Sequence, residues 1–234
     1  MLTLLLFIIL FASVAMLYAE GLWGNAIRLV NVVTAALLAT NYYEPLARWL
    51  ENFNETFGTY MYVWDFVALW GLFAVFMVIF RAVTDALSRV KVRFMKIVDR
   101  IGSAVLALWV GWVMVCFTAF SLHTAPLAEQ FLGMPIETDS RIFLGLGPDR
   151  QWLAFMQTVS RGQFSRTGSK EELKKKAYGV RAGETDEEKV LCVFDRNAEF
   201  LLKYRVRRKR LESYNDRRGA VRVRPADRGS QYDK

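Results

Sequence analysis

The fold class this sequence predicts is all-α. It reads as an integral membrane protein, a bundle of four transmembrane helices with a basic C-terminal tail that is partly helical and partly disordered. Three observations predict it. Hydrophobic residues make up 53% of the 234, and they collect in four long stretches within the first half. Charge is lopsided: residues 1–121 hold 8 Lys/Arg against 7 Asp/Glu, and residues 122–234 hold 23 against 16. Tyr18, Trp23, Tyr42, Tyr43, Tyr60, Tyr62 and Trp64 crowd the ends of the apolar stretches, as an aromatic belt at the membrane–water interface does. Such a chain divides into a membrane part and a polar basic part.

The first apolar segment, about residues 2–19, carries no charge and is long enough to cross the ~30 Å hydrocarbon core as a helix. Its Met-Leu-Thr start lacks the positive charge of a secretory leader, so it is read as an uncleaved anchor. The second, about 22–43, is interrupted by Arg28 and Asn31. The third, about 60–80, contains Asp65 near its start and is closed by Arg81. The fourth, about 101–121, is free of charge throughout. Backbone groups must be satisfied internally in lipid, so these segments are helices rather than open strands. Between the second and third, "YEPLARWLENFNETF" spaces Leu46, Trp49, Leu50 and Phe53 helically, which suits a short helix lying in the interface.

Orientation follows from the basic residues. The loop of residues 81–100 carries Arg81, Arg89, Lys91, Arg93, Lys96 and Arg100, whereas the loop between the second and third helices carries only Arg48. The positive-inside rule places loop 81–100 in the cytoplasm and both termini on the far side, with the tail outside.

Several residues stand out as candidates. Gly21 and Gly24 sit where two antiparallel helices must reverse, and glycine tolerates the positive φ such a turn needs. Arg28, Asn31 and Asp65 interrupt apolar runs. Polar groups in a membrane usually face a bundle interior or a wet cavity, so the three form a candidate polar seam, with Arg28 and Asp65 toward opposite faces. Asp99 and Arg100 open the fourth helix. The economical reading is that Asp99 caps that helix, accepting from the N–H of Ile101 or Gly102, while Arg100 anchors it at the cytoplasmic face. Beyond Gly102, the residues Ser103, Ala107 and Gly111 recur every fourth position and form a small-residue face for close helix packing. Packing within the chain is preferred over packing against a second copy.

Four helices, a Glu-Gly-x-x-Gly turn after the first ("EGLWG") and an Asp-Arg-x-Gly entry to the fourth ("DRIGSAVLALWVG") resemble the colicin V production protein (CvpA-like) family. The resemblance covers about residues 1–125. It implies a bacterial inner-membrane protein linked to colicin V production and export, and to envelope homeostasis, without an agreed chemical activity. Some relatives append a trypsin-like protease; this tail departs from them, having no Gly-x-Ser-Gly motif and a single histidine, His123.

The remainder is expected to be a soluble, partly helical region at 126–205 and a basic disordered tail at 206–234. "PDRQWLAFMQTVSRG" predicts a helix with Asp149 near its start, Trp152, Phe155, Met156 and Val159 on one face and Gly162 ending it. "SKEELKKKA" is a solvated stretch. "TDEEKVLCVFDRNAEFLLKYRVRRKRLESY", apolar at 190, 194, 198, 201 and 202, predicts one amphipathic helix with charges matched to its dipole. The Arg-rich end suits anionic lipid or cell-envelope polymers, and no motif supports specific nucleic-acid binding.

No cofactor, metal or catalytic residue is expected. Cys116 and Cys192 are distant in sequence and environment, and two cysteines with one histidine cannot form a thiolate-rich metal site. No nucleophile, base and orienting group converge. The functional expectation is therefore a non-enzymatic scaffold or accessory subunit. Its partners are the bilayer and either a membrane protein or further copies of itself. The alternative is a small channel or transporter subunit formed on oligomerisation, though the four helices offer few polar residues for a selective pore.

Overall fold

The computed structural model describes residues 2–53, 61–87, 95–125, 142–161, 166–169, 189–192, 194–195 and 198–215. The membrane part is built from α1 (Leu2–Leu17), a single 3-10 turn (Tyr18–Glu20), α2 (Gly21–Phe53), α3 (Met61–Leu87) and α4 (Lys96–Thr124). Beyond it come α5 (Pro148–Ser160), an antiparallel strand pair and α6 (Phe200–Asn215). The strands, β1 (Arg166–Ser169) and β2 (Lys189–Cys192), pair Arg166 with Cys192 and Ser169 with Lys189. Apart from that pair, the fold is all-α among the described residues.

Among the described residues, three helical stretches are long and apolar enough to cross a membrane: Leu2–Leu50, Val63–Leu87 and Lys96–Thr124. The first doubles back at the Tyr18–Gly21 turn. Leu6 of α1 packs beside Val115 and Ala119, Leu10 reaches Gly111, and Ser103 bonds the Tyr18 carbonyl, so α1 runs antiparallel to α4. Along α2, Leu22 meets Asp99, Asn25 meets Ser103 and Val32 packs with Val110, so α2 runs parallel to α4. Helix α4 is thus wedged between the two arms of the α1–α2 hairpin. Helix α3 packs along the other side of α2, antiparallel to it, with Asn31 beside Thr84 and Asp65 at the opposite end. At 16 residues, α1 is about 24 Å long, short of a full hydrocarbon core.

The reversal needs Gly21, whose φ of +82° lies in the left-handed region. Large apolar side chains face outward along every membrane helix: Leu4, Ile8 and Phe11 on α1, Val67, Val75 and Val78 on α3, Val105, Leu108 and Trp109 on α4. A water-soluble domain does not expose so continuous an apolar surface; a lipid-facing one must. The interior is aromatic where α3, α4 and α5 meet, with Phe117 against Phe73, Trp70 and Trp152.

Four expectations need correction. The stretch after Pro45 is helical through Phe53, but as a continuation of α2 rather than as a separate interfacial helix. The single amphipathic helix expected across 185–214 is instead β2 followed by α6, because Asp195 and Ala198 adopt positive φ and break any helix between them. Asp195 Oδ1 accepts the N–H groups of Glu199 at 2.8 Å and Phe200 at 3.0 Å, which starts α6 there. The basic tail drawn from residue 206 is ordered helix to Asn215, and Arg208 within it is buried. Helix α5 falls where expected, yet it buries Trp152 and Met156 and leaves Phe155 exposed. Gly162, the charged stretch at 170–177 and the tail at 216–234 lie outside the described residues.

Candidate functional site

The polar side chains of the bundle gather at its two ends. At the end formed by the α1–α2 turn and the start of α4, they tie backbones together. Asn25, fully buried, directs one Nδ2 hydrogen at the Leu17 carbonyl at 3.0 Å and the other at Ser103, shared between Oγ at 2.9 Å and the carbonyl at 3.1 Å. Ser103 Oγ in turn donates to the Tyr18 carbonyl at 3.1 Å. Asp99 Oδ1 accepts the N–H of Leu22 at 2.8 Å.

Asp99 is therefore not the cap of its own helix. Helix α4 begins at Lys96, and the Asp99 N–H already bonds the Met95 carbonyl at 2.9 Å. The carboxylate is left to serve the open N-terminus of α2, whose first N–H groups have no intrahelical partner. Arg100 is exposed. Gly102 lets α2 approach: a Cβ there would stand 2.5 Å from Leu22 Cδ1. At Gly111 a Cβ would meet Leu10 Cδ1 at 3.0 Å and the Leu10 carbonyl at 3.3 Å. The small face of Ser103, Ala107 and Gly111 is buried within the chain, against α1 and the turn. Gly24 meets nothing closer than Glu20 Cβ at 3.7 Å, so only Gly21 of that pair is required.

The candidate polar seam does not exist as one feature. Arg28 pairs with Glu20 at 2.6 Å, Asn31 donates to Thr84 Oγ1 at 3.0 Å, and Asp65 lies at the other end of the bundle. The reason is rotational: although three apart on α2, Arg28 turns back toward the hairpin and Asn31 toward α3.

At that other end, α6 closes over the helices through a set of charges that sequence reasoning missed. Lys203 donates to Glu44 of α2 at 2.6 Å. Arg207 pairs with Asp65 of α3. The Tyr204 hydroxyl donates to the same Asp65 oxygen at 3.1 Å, so the Tyr43 hydroxyl, 3.2 Å away, is the donor to Tyr204. Burial first, then the neighbouring Asp65 carboxylate, push the Tyr204 phenol upward, against the opposing pull of Lys203 and Arg207. Tyr204 remains a hydroxyl donor.

Arg208 approaches His123 Nδ1 at 3.4 Å, and His123 Nε2 lies 3.1 Å from Asp149 Oδ2. Arginine can only donate, so Nδ1 is the accepting nitrogen and the imidazole proton sits on Nε2, directed at Asp149. Arg208, His123 and Asp149 are all buried. Asp149 gets there because Pro148 starts α5 at its first position and places the next side chain at the helix N-terminus. Trp152, one turn on, donates to Thr40 Oγ1 at 3.2 Å and locks α5 to α2.

One basic helix thus reaches α2, α3 and α4 directly, and α5 through His123. This is not catalytic geometry: Arg208 occupies the imidazole nitrogen a nucleophile would need, and Ser121 and Thr124 turn their hydroxyls onto backbone carbonyls of their own helix. Among the described residues no group of His, Cys, Asp and Glu could hold a metal ion. Asn25 was detectable, since the rule that flags Asn31 within an apolar run applies equally to it. The pairing of Glu44, Asp65 and His123 with α6 had no local signal.

The fold and its two polar ends define a multi-pass helical membrane protein whose charged groups are used to join helices. The chain belongs to the colicin V production protein family, which it matches over residues 2–144. The family is not known as one of enzymes. No match to the chain is found among curated proteins or among solved structures.

Proposed function

We propose that this protein is a non-enzymatic scaffold or accessory subunit of the bacterial inner membrane, acting in toxin production and export or in envelope homeostasis. The observation that carries this reading is the α6 clasp, in which Lys203, Arg207 and Arg208 meet Glu44, Asp65 and the His123–Asp149 pair. Such an arrangement fixes one shape at one membrane face and leaves the lipid-facing surface of α3 for a partner. Arg28, Asn31 and Asp65, the residues a conducting path would use, are each engaged in a separate tie, which weighs against a channel.

In this reading loop 81–100 is cytoplasmic by its six basic residues. The clasp, at the opposite end of α2, α3 and α4, faces the outside together with the tail. The tail's remaining basic residues then meet anionic lipid or envelope polymers, and the protein partner is another membrane protein or a second copy.

Crosslinking in native membranes, followed by identification of the attached proteins, tests the scaffold. Recovery of export or envelope components supports it, and recovery of none from any lipid-facing position of α3 overturns it. Ion flux into liposomes that Arg28→Ala or Asp65→Asn abolished would replace it by the channel.

A further inference from the structure

By composition, the region after α4 reads as soluble. From the packing of residues 142–160 we infer that this segment is a fifth membrane element, lying in the interfacial layer of the leaflet at the clasp end with Leu144 and Leu146 among the acyl chains. Lipid contact of this kind is the same whichever side of the membrane that leaflet faces.

Depth is the first argument. Phe143 is buried in a cluster with Leu6, Leu10, Val115 and Ala119, its ring 4.7 Å from Phe7 and 5.8 Å from Trp112. Val115 lies six residues before Ser121, the end of the uncharged stretch of α4, which is about 9 Å at 1.5 Å per residue. The Phe143 side chain is thus held well below the level at which α4 leaves the hydrocarbon. Interfacial helices bury their apolar faces to about 5–10 Å in the same way.

Composition and exposure are the second. "IFLGLGP", 142–148, has no charged residue, and its outward side chains are Leu144, 76% exposed, and Leu146, 51% exposed. Phe155, one turn beyond Gln151 on α5, is also exposed. In water these would be an apolar protrusion that nothing among the described residues covers. Beside Phe7, which stacks on the exposed Phe11 of α1 at 6.2 Å, they continue the lipid-facing surface of the bundle.

Polar satisfaction is the third. A turn near lipid must supply its own hydrogen bonds, and this one does so to an unusual degree. The Leu146 N–H bonds the Phe143 carbonyl and the Gly147 N–H bonds the Ile142 carbonyl, both at 3.0 Å. Gln151 donates to the Leu146 carbonyl at 3.1 Å while its amide oxygen accepts the Trp112 indole N–H at 3.2 Å. Pro148 has no N–H to satisfy. Phe143 and Leu144 both adopt left-handed φ, at 58° and 54°. Both are conformations that non-glycine residues rarely adopt, and the reversal sends Phe143 into the bundle and Leu144 away from it.

The test uses the full chain in proteoliposomes with Cys192→Ser and the buried Cys116 retained, a chain lacking any introduced cysteine supplying the background. Nitroxide labels are placed at Leu144→Cys, Leu146→Cys, Val78→Cys on the lipid face of α3, and Arg161→Cys just beyond α5. Labels at 144 and 146 are expected to collide with oxygen in preference to a water-soluble nickel chelate, as at 78, with the opposite preference at 161. Preference for the chelate at 144 and 146 would place them in water. Protection from both quenchers would mean that protein, such as a second copy, covers them. Either result overturns the inference.

Discussion

Removing the Arg207 guanidinium should release the α6 clasp, and the structure supplies the magnitude. Asp65 is buried, and its carboxylate accepts from Arg207 and from the Tyr204 hydroxyl. Arg207→Ala therefore leaves a buried carboxylate that has lost its guanidinium partner. Breaking a buried pair from one side costs about 3–5 kcal/mol; Arg207 keeps a small exposed edge, so the lower figure, about 3 kcal/mol, applies. That is about a hundredfold rise in the undocked population.

Helix α6 offers trypsin Lys203, Arg205, Arg208 and Lys209 once it leaves the bundle. Cleavage within α6 under native conditions tracks the open fraction when closing outpaces cutting. Asp65→Asn in the Arg207→Ala background removes the stranded charge and should return about 1–2 kcal/mol, measured as a double-mutant cycle. Effects that simply add, to within about 0.5 kcal/mol, would refute the pairing as an energetic contact.

Four further outcomes are expected. Gly102→Val drives side-chain carbon into Leu22, whose Cδ1 stands 2.5 Å from even an ideal Cβ, and should destabilise the bundle by about 1–3 kcal/mol in thermal unfolding in detergent. Asp99→Ala removes the acceptor at the start of α2 and should cost about 1 kcal/mol in the same assay, with Asp99→Asn costing less because its amide oxygen can still accept the Leu22 N–H. Asn25→Ala deletes the donors to Leu17 and Ser103 and should cost about 1–3 kcal/mol, the net worth of two buried hydrogen bonds; an unchanged midpoint would show that the turn is held otherwise.

The fourth is a pH effect. Burial raises the Asp195 carboxyl above 3.8 despite the two N–H groups it caps. The folded state then binds the proton more tightly than the unfolded chain. Its stabilisation is complete below pH 3.8 and is lost as pH rises through the raised folded value. Asp195→Asn keeps the cap without the half-buried charge, so at neutral pH it should be neutral or stabilising relative to the parent. That advantage should disappear on acidification through the same window.

The sequence by itself determined what depends on one-dimensional pattern. Charge-free length marked the membrane helices, because lipid demands apolar surface over a fixed thickness wherever the segment sits in the fold. Pro148 and Asp149 with the Trp152–Met156 spacing marked α5. The recurrence of Ser103, Ala107 and Gly111 marked a packing face, since helical periodicity alone puts them on one side. Family membership was legible for the same reason, from the order of these features along the chain.

What the tertiary structure decided was which partner each of these groups meets. Asp99 was recognisable as a carboxylate matched to a helix N-terminus, and only the fold showed that the terminus belongs to α2. The clasp joins residues 159 positions apart at Lys203–Glu44 and 142 apart at Arg207–Asp65, separations over which no local periodicity carries information. Read as a string, Lys203 to Arg210 is the basic end of an amphipathic helix running into a disordered tail. Folded, its inward side meets acids from separate helices, because α6 crosses the one end of the bundle where Glu44, Asp65 and His123 arrive together.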